Sequence, residues 1–533
     1  MGHGNAIERQ SRHGWTPALA LAGILVVAFV LRLVIGLQLP LDADEAVEAI
    51  GGLRLLHGEL LLMEPDGRYL GALDCYFIAP FLAVLGPTLL AVRAAMSLVG
   101  ALYVAAMWWL GRLLFRSPRG GLLLAAVAAV FPLFAVDYAV KARAYGSLLL
   151  LEALLLALSV RVVWPNREPR RRDWLAAGLA AGLAVWQHPL LALPVGLCLM
   201  AGLLRARAWR SLLPAVAGGL IGFTPWLVYN GVITHLGSIR HLYSPLQAYS
   251  VPTHVAAGQV ITEALPIFVG VRMNFCGAET VPWPVADLGL LGLAAAALWI
   301  RRTALAGLLH GRLEPVDLVL LLAPLSVLAV TLRWFNGLSC EPRYLMPLAV
   351  PLAVAAALIL RLAPPRRWAA GLAAAAWLAI AAVTTVHTVQ QSRDLVVIPG
   401  VLARVDVATA GRALAGTPPD ALWAQYWLAR PLQFYSGDSF VVGEYGGYVG
   451  FRATQQAAYA ARHPSWLFLA GDREAAALEA ICARRGITYQ RSEPAPGLVL
   501  YSDLSQPLTP DDLHLGGQRV DHTDPDPTRI RPW

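Results

Sequence analysis

The chain has 533 residues, of which 57% are hydrophobic and only 14% carry a charge. A soluble protein of this length needs more charged side chains to cover its surface, so the composition excludes an ordinary soluble enzyme. The formal net charge is +8. Arginines cluster in short loops between apolar segments, which is the pattern of membrane topology and not that of a nucleic-acid partner.

Apolar segments of near-bilayer length follow one another as far as about Thr388. The first, from Pro17 to Leu39, is too long for a signal-peptide core, so we predict an uncleaved span. Placing the arginine-rich loops on the cytoplasmic side gives about eleven spans and an external C-terminus. The predicted spans are 17–39, 93–114, 121–137, 144–163, 174–187, 189–205, 211–230, 283–300, 316–332, 344–361 and 369–388.

The apolar segment 72–90 does not fit this topology, because the chain must lie on the same side of the membrane before and after it. We therefore predict that it forms an interfacial or re-entrant helix within a first outer loop, residues 40–92. The two segments that meet near Gln187–Pro189 are short for full crossings, which predicts a tilted or broken pair.

Globular composition begins near residue 400. Strand-like runs alternate there with helical patterns, which predicts a small extracytoplasmic α/β domain over 400–502. The strand-like runs are Ser439–Val442, Trp466–Leu469 and Leu498–Tyr501, and the helical patterns are Arg452–Arg462 and Arg473–Arg485. The predicted fold is mainly α: a polytopic membrane bundle over 1–390 followed by this domain. A tail over 503–533, rich in Pro and Asp, has the composition of a disordered segment.

The five cysteines form no CxxC pair and no zinc spacing, so we expect no structural metal site. Cys276 and Cys340 both fall in predicted outer loops, where oxidation is chemically allowed. A disulfide between them is a hypothesis that the sequence alone does not decide.

Four carboxylates follow the first span in the segment LDADEAVEAI, namely Asp42, Asp44, Glu45 and Glu48. One interpretation is a base or metal ligand that faces a cavity. The other is a solvated helix start with Asp42 or Asp44 as its N-cap. Asp44 and Glu45 are adjacent and would point about 100° apart on a helix, so only one is expected to act directly.

The segment VDYAVKARAYG places Asp137, Lys141 and Arg143 at an outer span end, and Lys141 is the only lysine of the chain. Lysine and arginine together suit a phosphodiester, which indicates a phosphate clamp. The alternative is a helical ion pair, since Lys141 follows Asp137 by four residues.

Two further segments place polar residues at outer span ends, WQHP with His188 and EPRYLMPL with Arg343 and Tyr344. An arginine on the outer side runs against the positive-inside trend and favours an anionic ligand. The alternatives are a hydrogen-bonded turn residue for His188 and snorkelling or pairing with Glu341 for Arg343. Glu152, inside a span, is a weaker functional candidate.

An acidic pair after the first span, an A-R-x-Y segment and an R-Y-x-x-P segment occur here in one order and on one predicted side. In this the chain resembles the GT-C superfamily of membrane glycosyltransferases over about 15–390. It looks most like the group that contains protein O-mannosyltransferases and lipid A aminoarabinose transferases. The resemblance implies inverting transfer of a sugar, in this group often mannose, from a polyprenyl-phosphate donor outside the plasma (inner) membrane.

By that resemblance, Asp44 matches the position of the catalytic carboxylate and Glu45 the position of its acidic companion. The pairs Arg143 and Tyr145, and Arg343 and Tyr344, match segments that line the donor side. Asp137, Lys141 and His188 are added to this donor-binding set from the residues themselves. The expected acceptor is a hydroxyl of a glycan, lipid or protein. No second acidic motif is found, so a divalent metal is not supported, and no other cofactor is expected.

A polytopic transporter or lipid flippase would also explain many spans with intramembrane charges. It would predict an internal repeat and charges near the middle of the membrane. We find no repeat, and the charges gather at the outer rim. A non-catalytic scaffold is a third interpretation, but it would not need Asp44, Arg143 and Arg343 to converge.

Overall fold

The structure is a computed structural model. It describes residues 15–65, 69–165, 168–205, 212–237, 239, 253–270, 314–333, 342–362, parts of 375–390, 395–398, 401–445, 451–515, 519–520 and 530–531. The predicted span 283–300, Glu341 and the two cysteines of the disulfide hypothesis, Cys276 and Cys340, lie outside the described residues.

Most described residues before 390 are helical. The helices are α1 (Trp15–Gln38), α2 (Ala43–Leu56), α3 (Leu73–Leu85), α4 (Leu89–Phe115), α5 (Pro118–Val130), α6 (Leu133–Tyr138), α7 (Tyr145–Val163), α8 (Arg171–Gln187), α9 (Ala192–Arg205), α10 (Leu213–Val228), α11 (Thr253–Gln259), α12 (Leu265–Val269), α13 (Pro315–Arg333) and α14 (Ala349–Leu362). Short 3₁₀ turns, Pro189–Leu191 and Arg343–Leu348, precede α9 and α14.

The chain is a multi-pass membrane protein. Among the described residues, 5 helical segments are long and apolar enough to cross a membrane. These are Pro17–Gln38, Leu89–Phe115, Tyr145–Val163, Leu213–Ile233 and Arg343–Arg361. The other apolar helices are shorter, and the total of about eleven spans stays a prediction.

The predicted span 121–137 is not one continuous helix. Helix α5 ends at Val130, and α6 begins only at Leu133, after Phe131 and Pro132. Proline has no backbone N–H and its ring clashes with the preceding turn, so Pro132 ends the helix that the apolar run would otherwise continue. The break predicted near Gln187–Pro189 is present at His188, which has extended backbone between α8 and the next turn.

Segment 72–90 folds as α3, a helix of 13 residues that ends at Gly86. At about 1.5 Å per residue this helix is about 20 Å long, shorter than the roughly 30 Å of hydrocarbon that a span must cross. Helix α3 packs against α2. Its predicted place at the membrane interface stays a prediction.

The C-terminal part is an α/β domain. Its elements are α15 (Val407–Gly416), β3 (Ala421–Gln425), α16 (Tyr426–Tyr435), β4 (Val441–Tyr445), α17 (Arg452–Ala460), β5 (Pro464–Leu469), α18 (Arg473–Arg485), β6 (Gln490–Ser492) and β7 (Leu498–Ser502). The sheet order is β4-β3-β5-β7-β6, with β3 parallel to β4 and to β5 and antiparallel pairing at β7. Two short antiparallel ladders complete the described strands: β1 (Leu395–Ile398) with β2 (Val401–Arg404), and β8 (Arg519–Val520) with β9 (Ile530–Arg531).

The start of the predicted disordered tail is part of this domain. Leu504, Leu508 and Leu513 are buried in the core that contains Trp423 and Trp466. The expectation of disorder from residue 503 is therefore wrong for the described residues up to 515. The high Pro and Asp content predicted disorder, but the three leucines supply enough apolar contacts to pack this segment on the core.

The chain divides into two compact units. The helical unit comprises Met1–Gly36, Met96–Leu227 and Tyr243–Gln390, and the mixed unit comprises Leu37–Ala95, Val228–Leu242 and Gln391–Trp533. This division differs from a cut near residue 400, because α16 packs against α2 and joins the acidic segment to the α/β domain.

Within the helical unit, α8 and α10 approach each other so closely that only glycine fits at the contact. A Cβ atom added at Gly218 would lie 2.1 Å from the carbonyl oxygen of Leu175, and one at Gly182 would lie 2.1 Å from that of Gly219. Small residues commonly permit such contacts between membrane helices.

We predict that Gly218→Ala lowers the apparent melting temperature in detergent, because overpacking costs about 1–3 kcal/mol. The matched control is Gly196→Ala on α9, where an added Cβ meets nothing within 4 Å. That variant should be as stable as the wild type or slightly more stable, since alanine favours helix. Equal melting temperatures for Gly218→Ala and wild type would contradict the close contact.

Candidate active site

The acidic segment begins α2 with a capping box. The Asp42 carboxylate accepts a hydrogen bond from the Glu45 backbone N–H at 3.0 Å, and the Glu45 carboxylate accepts one from the Asp42 N–H at 3.2 Å. The N-cap interpretation therefore holds for Asp42 and not for Asp44. Asp44 lies in the first turn, is half-buried, and its Oδ1 accepts a hydrogen bond of 2.8 Å from the Tyr426 hydroxyl.

Glu45 points in a different direction and is fully buried. It forms an ion pair with Arg93 of α4, in which Nη2 donates to Oε2 at 3.1 Å. Arg93 also donates to the carbonyl oxygens of Leu39 at 3.3 Å and Pro40 at 3.1 Å. Of the two adjacent carboxylates, Glu45 is therefore engaged by Arg93 and by the Asp42 backbone, whereas Asp44 is the more accessible. This agrees with the prediction that the two side chains point in different directions on a helix.

The remaining acidic residue of the segment, Glu48, is buried between α2 and α3. The Cys75 thiol donates to its Oε2 at 2.8 Å. Asp74 and Glu64 are buried in the same unit and interact electrostatically with Cys75. Among the residues that the structure describes, no group of three or more His, Cys, Asp or Glu side chains is placed to hold a metal ion.

The cationic segment lies in the helical unit, in the turn between α6 and α7. Helix α6 ends at Tyr138, so Asp137 and Lys141 do not form the helical pair of the alternative interpretation. Lys141 Nζ lies 5.3 Å from the centroid of the Tyr138 ring, and Arg143 Nη1 donates to the Tyr138 hydroxyl at 2.7 Å. Asp137 is close enough to Lys141 for an electrostatic interaction.

An aromatic contact connects this turn to the next segment. Ala144, with a left-handed φ of 62°, closes the turn, and Tyr145 begins α7. The Tyr145 ring centroid lies 5.3 Å from that of Tyr138 and 5.1 Å from that of His188. Beside it, Gln187 Nε2 donates to Ser147 Oγ at 2.8 Å and fixes the end of α8 to the start of α7.

His188 and Arg343 complete the group. His188 Nδ1 accepts a hydrogen bond from the Leu190 N–H at 3.2 Å. Burial, together with the nearby Arg343 cation, lowers the pKa of His188 to about 3, so its ring is neutral near pH 7. The Arg343 guanidinium lies 5.4 Å from the ring centroid of Tyr344. A cation–aromatic cluster therefore runs from Lys141 to Arg343.

The structure thus brings together the predicted donor-binding residues of the helical unit: Asp137, Lys141, Arg143, Tyr145, His188, Arg343 and Tyr344. Asp44 and Glu45 belong to the other unit, the mixed one. Tyr138 is not among the residues predicted from the sequence, although it is an aromatic residue within the cationic segment. Arg93 is also not among them, although a charged residue in an apolar helix is a sign of function.

Arg32 was missed as well. This side chain of α1 is fully buried and donates to the carbonyl oxygens of Ala129 at 3.0 Å and Ala128 at 3.3 Å. These carbonyls end α5, just before the break that leads to α6. Arg32 thereby satisfies backbone oxygens that the broken helix leaves without an internal partner.

The comparisons with known proteins agree with this architecture. The model of the family "Dolichyl-phosphate-mannose-protein mannosyltransferase" matches residues 73–229. Two crystal structures of ArnT from Cupriavidus metallidurans superpose on the chain with 15% sequence identity, covering 92% of this chain and 98% of that one. The TM-score is 0.63 for ArnT bound to undecaprenyl phosphate and 0.62 for the apo state. Comparison with curated proteins gives no match.

The chain has a fold similar to that of ArnT. The predicted resemblance to the group that contains lipid A aminoarabinose transferases is confirmed at the level of the fold. The similarity extends over nearly the whole chain and therefore includes the α/β domain as well as the helices.

We predict that Arg93→Met destabilises the protein by about 3–5 kcal/mol, because it leaves the buried Glu45 carboxylate without its cation. The matched control is Arg93→Met combined with Glu45→Gln, which removes the buried charge and keeps an acceptor for the Asp42 N–H. Thermal unfolding of the purified protein measures both. If the single and double variants melt together, the ion pair does not anchor α2.

A second prediction follows from the neutral state of His188. The unfolded chain binds a proton on His188 near pH 6.5 and the folded protein only near pH 3, so stability is lost as pH falls through this range. The slope approaches about 1.4 kcal/mol per pH unit. His188→Asn keeps an acceptor for the Leu190 N–H and does not titrate. Its melting temperature should therefore fall less between pH 7 and pH 5, and an unchanged pH dependence would contradict the burial.

Proposed function

We propose that this protein transfers a sugar from a polyprenyl-phosphate donor to an acceptor hydroxyl. The observation that carries the proposal is the cluster of Lys141, Arg143 and Arg343, joined through aromatic rings within an apolar helical unit. Support also comes from the shared fold, since one ArnT structure holds undecaprenyl phosphate.

The three cations are suited to the donor phosphate. A phosphodiester carries one negative charge before transfer, and polyprenyl phosphate carries more after the sugar has left. Cations in a low-dielectric environment stabilise charge that develops on the leaving phosphate far better than they would in water. Arg143 and Arg343 can each present two parallel N–H groups to phosphate oxygens, whereas Lys141 acts as a compact point charge.

The aromatic side chains support the proposed phosphate-binding cations. The ring of Tyr138 is buried, stacks on Phe134 and lies beside Lys141 and Arg143. His188, which is neutral, can hydrogen-bond without adding a cation. Its assigned role is in binding, because a ring with so low a pKa does not exchange protons near pH 7.

Asp44 is the proposed base. It takes the proton of the acceptor hydroxyl while that oxygen bonds to the anomeric carbon. The bond between this carbon and the phosphate oxygen breaks, and its electron pair leaves with polyprenyl phosphate. A single displacement of this kind inverts the anomeric centre. Glu45, paired with Arg93, is proposed to position α2 and not to exchange protons.

Other parts of the proposal rest on the sequence. The arginine distribution supports transfer at the outer face of the plasma (inner) membrane, with the α/β domain outside. The family description supports mannose or a related sugar. The acceptor is proposed to be a hydroxyl of a glycan, lipid or protein.

A transporter or flippase is the alternative. Both it and a transferase would bind undecaprenyl phosphate, so a binding measurement does not distinguish the two functions. Only a transferase releases undecaprenyl phosphate from a glycosylated donor, so this release is the deciding measurement.

We predict that Arg343→Ala or Arg143→Ala weakens binding of undecaprenyl phosphate about tenfold to a hundredfold, as expected for loss of a hydrogen bond to a charged group. Binding is measured on the full chain in nanodiscs. The matched control is Arg119→Ala, which removes an exposed arginine at the start of α5. Equal affinities for all three variants would rule out the cluster as the phosphate site.

The second test concerns Asp44. With undecaprenyl-phosphate mannose and undecaprenyl-phosphate aminoarabinose as donors, and a bacterial envelope extract as the acceptor pool, release of undecaprenyl phosphate is followed by chromatography. Asp44→Asn should lower kcat by about 10²–10⁴ and leave binding of undecaprenyl phosphate unchanged. Near-normal transfer by this variant would remove Asp44 from the role of base.

A further inference from the structure

The α/β domain contacts the proposed base directly. Tyr426 follows β3 immediately, so it lies at the carboxyl edge of the parallel strands, where α/β folds commonly place functional side chains. The Gln425 side chain accepts a hydrogen bond of 2.8 Å from the Trp427 N–H and fixes this first turn of α16. The buried Tyr426 hydroxyl donates to Asp44 Oδ1 at 2.8 Å.

Further contacts hold α16 and α2 in this arrangement. Arg54 of α2 forms an ion pair of 3.5 Å with Asp438, just beyond α16. The guanidinium groups of Arg54 and Arg430 lie 4.5 Å and 3.9 Å from the centroid of the Phe451 ring. Arg430 is fully buried and paired with Glu444 at the end of β4. The hydrogen bond to Asp44 is therefore formed between two rigidly held helices.

We infer that Tyr426 is a positioning residue for Asp44, and that the α/β domain is in this way a working part of the catalytic apparatus. The inference rests on the proposed function of Asp44. An Asp side chain rotates about two bonds, and a base must face its substrate with a defined oxygen. A hydrogen bond to Oδ1 fixes the plane of the carboxylate and hence the direction of Oδ2.

The same hydrogen bond favours the ionised carboxylate. The charged or titratable groups that face the start of α2 are Asp42, Glu45 and Glu48 on α2, Asp74 on α3, Arg93 on α4, and Tyr426 and Tyr435 on α16. Among these groups, Arg93 forms its ion pair with Glu45. The Tyr426 hydroxyl donates to Asp44, which stabilises the carboxylate form that can accept a proton.

The test uses Tyr426→Phe in the full chain in nanodiscs, with whichever of the two undecaprenyl-phosphate sugars the wild type consumes. We expect kcat to fall about tenfold with an unchanged KM for the donor, because only the hydroxyl is lost. The acidic limb of the pH–rate profile should move to higher pH, since the ionised carboxylate loses a donor.

Two control variants separate positioning from packing. Tyr489→Phe makes the same chemical change elsewhere in the domain, and Asp438→Asn weakens the ion pair that ties the domain to α2. Both should keep the wild-type pH profile and nearly the wild-type rate. If Asp438→Asn reduces the rate as much as Tyr426→Phe, and neither moves the pH profile, Tyr426 acts only by holding the domain in place and the inference is wrong.

The inference and the proposed function fail differently. If Asp44→Asn is inactive but Tyr426→Phe has the rate and pH profile of the wild type, the inference falls and the base assignment stands. If Asp44→Asn remains active, the base assignment falls and this inference falls with it.

If Tyr426→Phe is poorly folded, or if the donor sugar is neither of the two, the inference is tested by a stability measurement that does not depend on enzymatic activity. Asp44→Ala, Tyr426→Phe and the double variant are compared by thermal unfolding. Coupling requires that Tyr426→Phe shift the melting temperature in the wild type and not in the Asp44→Ala background. Additive shifts would show that the hydroxyl does not act on Asp44 and would overturn the inference.

Discussion

The buried ion pair between Glu45 and Arg93 fixes the acidic segment at the start of α2. Leaving either charge alone in this environment would cost several kcal/mol, so the two side chains stay together and hold α2 against α4. Arg93 also binds the carbonyl oxygens of Leu39 and Pro40, which joins the end of α1 to the same point. Asp44 lies one residue before Glu45 and receives a defined position from this joint. The Tyr426 hydroxyl then fixes the orientation of its carboxylate.

In the helical unit, the proposed donor-binding side chains lie where helices end. The chain breaks before Leu133, turns through Ala144, and breaks again at His188 and at the 3₁₀ turn from Arg343. Each break leaves backbone groups without helical partners, which a membrane protein tolerates only where they are satisfied by protein or line a polar site. Arg32, Ser147 and His188 form hydrogen bonds with some of these backbone groups. Polar side chains near the helix ends therefore stabilise the breaks.

Much of this arrangement could be predicted from local sequence. Apolar run length predicted the long helices, and local patterns predicted β5, β7 and α18 close to their observed bounds. The strand predicted at Ser439–Val442 overlaps β4 only at its first two residues. Counting apolar residues could not show that Pro132 divides a span, because hydropathy ignores the missing N–H group. The contact between Asp44 and Tyr426 joins residues 382 apart in sequence, and no periodicity reports such a pair. For the same reason, local sequence does not show that α2 shares a compact unit with the α/β domain.

The cation–aromatic cluster also gives a physical reason for the proposed binding of an anion there. Lys141 and Arg143 approach one end of a chain of rings formed by Tyr138, Tyr145 and His188, and Arg343 approaches the other. Cations held near one another repel, and the tyrosine faces offset only part of this repulsion. Keeping His188 neutral avoids a further positive charge between them. A phosphate that enters the cluster meets cations already in position, so little reorganisation is needed when the leaving group gains its charge.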